Sequence, residues 1–345
     1  MAPRPLDPPV PGGPAAGYLR EQATGFLRAL RLQRESGTVA SDAAEAARAL
    51  RRTARRIDAT LHTFRPLFDP DWADTLRTEL GWLAGTLGRE HAYAERLERL
   101  LGALHRLSQE TAPVPALPQA RAAAAVLTAQ GPGTGGGASG ALSVGAARAG
   151  ALLERQLTLA RNRAHSAALG ALGSGRFHAV ADSVAVLASE VPLRAGTGTG
   201  TGEPVAPAPL AERTAERLGE AVTQLPLGRA GVPYNAQALV LGEQDAEAQD
   251  TPWLRARQLL RLRRYAVEAM TGQDDPALRR AAQALDRHRD AAEAASAAAS
   301  AARTPRIAPA TAYSLGVLHA DQRHEVEAAR YAFHRAWQRE AAWAG

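Results

Sequence analysis

The chain has 345 residues and a formal net charge of +6, and all 41 of its Lys plus Arg positions are arginine. It contains no cysteine, which excludes disulfides, thiolate metal sites and cysteine nucleophiles. The N-terminus lacks the apolar core of a signal peptide, and no window is long and apolar enough to span a membrane. We therefore expect a cytoplasmic protein with no membrane partner.

Clusters of glycine and proline divide the chain into helical segments. Residues 1–15 predict a disordered tail, and residues 16–345 a single domain made of two helical halves, 16–192 and 209–345. A Gly/Pro-rich linker, 193–208, joins the halves, and a shorter linker is predicted at 131–140. Helices are predicted in the first half at 18–34, 41–64, 69–107, 118–130, 143–172 and 176–190. In the second half they are predicted at 210–223, 251–270, 276–302 and from 311 to the C-terminus.

The composition between these breaks is rich in alanine, leucine, arginine and glutamate, which are good helix formers. The only strand candidate is "QALVLGE" at 237–243, so the predicted class is all-α, built of helix bundles. The halves also echo each other, since "LGREHAYAERL" at Leu87 is similar to "LDRHRDAAEAA" at Leu285. This similarity predicts two related bundles.

Two segments carry arginine stripes. At about 100° per residue, five arginines of "ARALRRTARRIDATLHTF" share one helix face, opposite Leu50, Ala54 and Ile57. These arginines are Arg48, Arg51, Arg52, Arg55 and Arg56. In "WLRARQLLRLRRYAVEAM" the line consists of Arg257, Arg261 and Arg264.

Like charges at this spacing repel, so each stripe is stabilised by something negative along it. The planar guanidinium donates paired hydrogen bonds to phosphate oxygens, and a row spaced by one helical turn, roughly 5–6 Å, suits a chain of phosphates. Two alternatives are open. The arginines could pair with carboxylates of this chain or of an acidic partner protein, or they could bind nucleic acid. The last is less favoured because only Trp253 and Tyr265 lie near a stripe as stacking platforms.

From Tyr18 to the C-terminus the sequence resembles the CHAD family, the conserved histidine α-helical domain. The resemblance is carried by "LHTFRPLFDPDWAD", "LGWLAGTLG", "RNRAHSAALGALGSGRF", both arginine segments and "LDRHRDAAEAA". It implies two antiparallel four-helix bundles related by pseudo-two-fold symmetry around a basic central cleft. It further implies non-enzymatic binding of inorganic polyphosphate, with some members on polyphosphate granules.

Carried over by position, the resemblance implies a set of polyphosphate-binding residues. They are Arg48, Arg51, Arg55, Arg56, Arg257, Arg261, Arg264, Tyr265 and His288. His288 and Asp290 match a later histidine and aspartate pair of the family, and protonation of His288 would add a cation to the cleft.

The chain departs from the family pattern at the namesake positions. Arg48 and Leu254 replace the histidines that open the two motifs, and Gln258 replaces a basic residue. His91 and Ala92 replace an arginine and an aspartate. Arg48 still suits an anion but Leu254 does not, so the departures imply a weakened affinity or a changed ligand.

No catalytic residue, cofactor or metal site is predicted. The "HRD" at 288–290 lacks the asparagine and the "DFG" of a kinase, and "GTGTGTG" lacks the lysine of a phosphate-binding loop. The nine histidines are scattered and do not form a metal-ligand set.

Overall fold

The computed structural model describes residues 13–35, 40–110, 135–194, 205–231 and 236–341. These residues are almost entirely helical, and they contain no strand beyond one isolated bridge between Phe68 and Leu193. The helices of the first half are α1 (Gly13–Glu35), α2 (Ala40–Thr63), α3 (Pro70–Glu110), α4 (Gly135–Leu172) and α5 (Gly175–Ser189). Those of the second half are α6 (Pro207–Thr223), α7 (Leu227–Ala230), α8 (Ala236–Thr271), α9 (Pro276–Ala302) and α10 (Pro309–Ala341).

Local sequence sets where two central helices begin. A 3₁₀ turn, Arg65–Leu67, follows α2, and the Asp69 carboxylate then accepts a 2.8 Å hydrogen bond from the Trp72 N–H at the start of α3. Asp275 does the same for α9, where its carboxylate accepts from the Ala277 N–H at 2.7 Å. The two long helices that follow the arginine helices therefore start with aspartate caps.

Each half has its own hydrophobic core. The first fills the space among α1, α2, the first part of α3 and α5, and contains Phe26, Ile57, Phe64, Leu80 and Phe177. The second lies among α6, α8, α9 and the end of α10, and contains Trp253, Leu260, Leu285 and Phe333. Burying each large apolar side chain contributes on the order of 1.5–3 kcal/mol.

The halves are nevertheless interlocked. A third core joins the far ends of α3, α4, α9 and α10 through Leu100, Leu153, Ala298 and Leu315. The first core also takes in side chains from the second half, namely Leu210, Ala211, Ala266 and Ala269. The long helices α3 and α9 each enter two cores, so they hold the arginine helices in fixed positions.

The all-α prediction is confirmed. The strand candidate at 237–243 is wrong, because this segment forms the first turns of α8. The predicted start of that helix, 251, is also wrong. Asp250 and Pro252 suit a helix start, but the Asp250 carboxylate is held by Arg323 at 2.7 Å and by Arg330 at 2.6 Å. It is therefore not used as a cap, and α8 continues through Pro252.

Several helices also begin at residues other than those predicted. Helix α1 begins at Gly13 inside the predicted tail, because Ala15 and Ala16 are fully buried in the first core. Helix α4 begins inside the predicted linker 131–140, and α6 begins inside the predicted linker 193–208. The predicted helix 118–130, residues 1–12 and residues 195–204 lie outside the described residues.

Candidate anion-binding cleft

The two arginine helices meet at a cleft between the halves. Its volume is about 330 Å³, and α2, α3, α8 and α9 all contribute to its walls. The lining residues are Arg51, Arg55, Ala84, Gly85, Gly88, Arg89, Ala92, Glu95, Arg257, Asp286, Arg289, Asp290 and Glu293. The structure thus brings together three of the predicted site residues, Arg51, Arg55 and Arg257, with Arg261 one turn further along α8.

Three of the stripe arginines stand out because they form no ion pair with any carboxylate of the described residues. They are Arg51, Arg55 and Arg261. Arg51 Nη1 only approaches the Gly88 carbonyl oxygen, at 3.5 Å. Since all three are partly buried, their charges are shielded neither by a partner nor fully by water.

The pKa values reflect this crowding. Burial, together with the neighbouring charges of Arg51 and Arg261, lowers the pKa of the Arg55 guanidinium to about 10. Burial and Arg257 lower the pKa of Arg261, and burial lowers that of Arg51 although Glu95 opposes the change. All three remain protonated at neutral pH, so the cleft holds concentrated positive charge. An anion that restored the ordinary pKa of Arg55 would gain on the order of a few kcal/mol, since one pKa unit corresponds to about 1.4 kcal/mol.

The floor of the cleft is a row of small residues on α3. Ala84, Gly88 and Ala92 recur every four residues, with Gly85 beside them. A Cβ atom at Gly88 would lie 3.2 Å from Arg51 Nη1 and 3.9 Å from Arg55 Nη2. The missing side chain therefore lets both guanidinium groups lie across α3. Sequence reasoning missed this role, although the four-residue spacing of small residues in "GWLAGTLGREHA" is a signal for it.

The opposite wall, on α9, is acidic. Among the described lining residues there are five arginines and four carboxylates, so the cleft is not uniformly basic as expected. Arg257 pairs with Asp286 at 2.6 Å, and Arg289 pairs with Asp290. The positive charge without a partner is therefore concentrated on the side formed by α2 and α8.

The remaining predicted residues flank the cleft and are already paired. Arg56 contacts Glu268 at 3.0 Å and Arg264 contacts Asp274 at 2.8 Å. Their guanidinium groups lie 5.4 Å and 5.9 Å from the centroid of the Tyr265 ring. Arg48 pairs with Glu45 on the exposed side of α2, at 2.9 Å.

His288 is not in the cleft, which corrects the sequence prediction. Its side chain is fully buried in the second core, stacked on Trp253 with 5.8 Å between ring centroids. Its Nε2 lies 3.4 Å from the Asp250 carboxylate, which also pairs with Arg323 and Arg330. These five residues are called the Asp250 cluster below. The prediction failed because His288 occupies the apolar face of α9, whereas Asp286, Arg289 and Asp290 face the cleft.

The cations of the Asp250 cluster are matched by carboxylates. Arg330 has a second partner in Glu327, at 2.6 Å, and its guanidinium lies 5.2 Å from the Trp253 ring centroid. Burial lowers the pKa of His288, against the opposing effect of Asp250, so the ring is neutral at pH 7. The cluster therefore holds α8, α9 and α10 together through satisfied charges.

A model of the CHAD domain family matches residues 21–319. The chain belongs to the CHAD family. Among solved structures it is similar to PptA from Streptomyces chartreusis, with 56% sequence identity, a TM-score of 0.74, and coverage of 94% of this chain and 98% of that chain. No curated protein matches it.

Three positions that are expected to differ from other CHAD members lie at or near the cleft. Ala92 is part of its floor, and His91 beside it faces Glu95 with a 3.0 Å contact. Leu254 precedes Arg257 and Arg261 on one line of α8 and is 40% exposed. This position therefore lies on the surface, one turn before the cleft arginines.

Two further findings concern the described part of the chain. None of its helices is long and apolar enough to cross a membrane. Nor do its described histidine, aspartate and glutamate side chains form a group of three or more that could hold a metal ion.

Proposed function

We propose that the protein binds inorganic polyphosphate in the cleft, without catalysis, through Arg51, Arg55, Arg257 and Arg261. The observation that carries the proposal is the group of three arginines, on two helices from different halves, for which the described chain provides no carboxylate partner. Because burial and mutual repulsion disfavour their charged forms, a polyanion would relieve an unfavourable interaction as well as add new hydrogen bonds.

The shape of the site supports a chain of phosphates. Arg51 and Arg55 are one turn apart on α2, and Arg257 and Arg261 are one turn apart on α8, so each pair is spaced by roughly 6 Å. A linear polyanion in the cleft would meet both pairs. Arg89 and Arg289, which line the same cleft, are included in the proposed site. Arg48, Arg56, Arg264 and Tyr265 are proposed as flanking contacts for a long chain.

Arg257 has a particular place in this proposal, because it is both a site residue and an ion-pair partner. Its pair with Asp286 lies at the edge of the cleft, where the carboxylate is about half exposed. A phosphate group would replace the Asp286 carboxylate as the partner of Arg257, so the charge of Arg257 would stay paired.

The test is a titration of long-chain polyphosphate into the pure protein, read by calorimetry. The Arg55→Glu, Arg261→Glu double variant should lose about 100-fold or more in affinity, since each charge-assisted hydrogen bond contributes about 1.5–3 kcal/mol. A matched control is Arg255→Glu, Arg280→Glu, which changes the net charge equally at two exposed arginines outside the cleft. The control should lose less than about threefold, and equal losses in both variants would reject the site.

The same samples test the absence of catalysis. Polyphosphate incubated with the protein should keep its chain length on a polyacrylamide gel. Shortening of the chain by the native protein but not by the Arg55→Glu, Arg261→Glu variant would show that the cleft is an active site.

One observation favours the alternative of a structural protein with internally paired arginines. Five stripe arginines do have carboxylate partners within the chain, and they are Arg48, Arg52, Arg56, Arg257 and Arg264. Under this alternative, reversing Arg55 and Arg261 would leave polyphosphate affinity unchanged. Nucleic-acid binding is tested by adding duplex DNA, which should compete with polyphosphate on equal terms at physiological salt if nucleic acid is the ligand.

We also propose a cytoplasmic location on polyphosphate granules. A fluorescent fusion should coincide with stained granules, and the fusion carrying Arg55→Glu and Arg261→Glu should be diffuse. Diffuse signal from both fusions would argue against granule association.

A further inference from the structure

A second, smaller cavity lies on the far side of the α2–α8 crossing. Its volume is about 130 Å³, and it is formed by the end of α2, by α6 and by α8. The lining residues are His62, Thr63, Pro66, Leu210, Arg213, Thr214, Arg217, Leu259 and Leu262. His62 follows Arg55 by two helical turns on α2, roughly 10 Å, so this cavity is separate from the cleft.

The charged side chains that line this cavity are all basic, although Asp58 and Asp74 lie close enough to His62 to affect its pKa. Arg213 and Arg217 are four residues apart on α6, and neither forms an ion pair with a carboxylate of the described residues. The described lining contains no aspartate or glutamate, in contrast to the four carboxylates of the cleft. Two like charges at this spacing repel each other, so the cavity favours an anion.

The cavity also offers a hydroxyl that lacks a partner. Thr63 Oγ1 is buried and has no hydrogen-bond partner among the described residues. A buried polar group without a partner is unfavourable, so a turn of the Thr63 side chain that lets its hydroxyl donate to an oxyanion in the cavity would be favoured. His62 adds a ring N–H donor whether or not it is protonated. Thr214 is already used, because its hydroxyl donates to the Ala211 carbonyl at 2.6 Å.

The backbone that carries these donors is held in place. Arg263 on α8 donates to the Ala211 carbonyl at 3.0 Å, which ties the start of α6 to α8. Leu210 and Ala211 are buried in the first core. The backbone of α6 that carries Arg213 and Arg217 therefore keeps a fixed position relative to α8 and to the first core.

We propose that this cavity is a second anion site, which takes a single phosphoryl or pyrophosphoryl group. One water needs about 10–15 Å³ of such space, so the cavity has room for several oxygen-sized atoms. It is well below the roughly 300 Å³ at which pockets begin to take drug-sized ligands, so a nucleotide does not fit inside. The group comes either from free orthophosphate or pyrophosphate or from the end of a polyphosphate chain. The proposal goes beyond polyphosphate binding in the cleft and does not depend on it.

The experiment is a calorimetric titration of pyrophosphate into four forms of the full chain. The native protein should bind pyrophosphate in both the cleft and the cavity, and the cleft variant Arg55→Glu, Arg261→Glu should keep the pyrophosphate in the cavity. The cavity variant Arg213→Glu, Arg217→Glu should lose at least tenfold in affinity at the cavity site while keeping the cleft site, and Arg255→Glu, Arg280→Glu should lose less than threefold at either site. Arg213 and Arg217 are exposed, so the cavity variant should give the native circular dichroism spectrum.

A second variant removes a donor without changing the charge. Thr63→Val should weaken pyrophosphate binding about threefold to fivefold. The proposal is overturned if the cavity variants bind pyrophosphate as the native protein does, or if binding is lost in the cleft variant instead. If the native protein fails to bind long-chain polyphosphate but still binds pyrophosphate in the cavity, the proposed function is wrong, and the proposal of a second anion site is supported.

A titration with long-chain polyphosphate distinguishes the two sources of the phosphoryl group, the free ion and the end of a polyphosphate chain. If Arg213→Glu, Arg217→Glu weakens long-chain binding as well, the occupant in the presence of polyphosphate is the chain end. If it weakens pyrophosphate alone, the occupant is the free ion. Either result supports the cavity as an anion site and identifies what fills it.

Discussion

The cleft and the Asp250 cluster are built from the same kinds of residue, but their charges are matched to different extents. In the Asp250 cluster, Arg323 and Arg330 share the Asp250 carboxylate, and Glu327 adds a second negative charge. In the cleft, Arg55 and Arg261 form no ion pair with the described residues, and their neighbours include other arginines. Charged side chains alone therefore do not mark a binding site. A site is indicated where the folded chain leaves their charge without a partner.

The largest effect on stability is expected from removing the carboxylate of the Asp250 cluster. Asp250→Ala leaves two arginines buried without their carboxylate, which should lower the free energy of unfolding by about 3–5 kcal/mol. Chemical denaturation measures this. The matched control is Glu45→Ala, which also removes a carboxylate shared by two arginines, Arg48 and Arg52, but on the surface. It should leave the midpoint of denaturation nearly unchanged, since solvent screens this exposed pair.

The Asp250 carboxylate also makes the stability of the protein depend on pH. Burial alone would raise the pKa of Asp250, but the close approach of His288 and the hydrogen bonds from Arg323 outweigh it and lower the pKa to about 2. A lowered carboxylate pKa adds stability that is complete above pH about 4 and is lost as the pH falls toward 2. In Asp250→Ala, the free energy of unfolding should therefore depend less on pH between about 4 and 2. The same pH dependence as in the native protein would contradict the pairing of Asp250 with Arg323 and Arg330.

Removing an unmatched charge should have the opposite effect on stability. Arg55→Met keeps the length of the side chain but removes a cation that burial and its neighbours disfavour. The free protein should gain about 1–2 kcal/mol, while polyphosphate affinity falls by about tenfold or more. Loss of stability together with retained affinity would mean that Arg55 is a structural residue.

The stabilisation expected from Arg55→Met depends on pH in a direction that follows from the lowered pKa of Arg55. The pKa of Arg55 is about 10 in the folded protein, well below its ordinary value, so the unfolded chain holds the proton more tightly. The penalty is therefore complete below pH about 10 and is relieved as the pH rises further. At pH 6–8 the stabilisation by Arg55→Met should be constant.

A smaller effect is expected from filling the floor of the cleft. Gly88→Ala places a methyl group 3.2 Å from Arg51 Nη1 and should lower polyphosphate affinity about threefold to tenfold by displacing the guanidinium. Gly81→Ala on the same helix meets nothing within 4 Å and is the matched control. Both variants gain helix propensity, up to about 1 kcal/mol. Equal affinities in the two variants would show that Arg51 does not need Gly88.

The smallest effect is expected at the exposed residue before the cleft. Leu254→His extends the line of Arg257 and Arg261 by one ionisable group. Since an exposed histidine has a pKa of about 6.5, affinity should rise about twofold to threefold at pH 5.5 and be unchanged at pH 8. A gain of the same size at both pH values would exclude charge as its cause.

The fold was largely predictable because helix propensity and the apolar faces of the arginine helices agree with the tertiary structure. Leu50, Ala54 and Ile57 are fully buried, as their positions opposite the stripe predict. The start of α8 was not predictable from local sequence, because Asp250 is used by arginines 73 and 80 residues away in the chain. Long-range pairing of this kind leaves no periodic pattern.

The candidate site was only partly predictable. Helix periodicity placed Arg51, Arg55 and Arg257 on helix faces that line the cleft, but it could not show which arginines pair with carboxylates elsewhere in the folded chain. Arg56 and Arg264 have such partners, while Arg55 does not. The prediction that His288 lies in the cleft failed for a related reason, because a histidine beside charged residues on α9 can face either the cleft or the core.

The exchange of side chains between the two halves bears on synthesis of the chain. The first core needs Leu210, Ala211, Ala266 and Ala269, which leave the ribosome well after α1 to α5. At typical elongation rates the gap from residue 194 to residue 269 lasts on the order of ten seconds. During that time the nascent first half exposes apolar surface that only the second half covers. A chain halted before α8 is thus a natural client for chaperones, and fragments 1–194 and 205–345 should be soluble only when they are produced together.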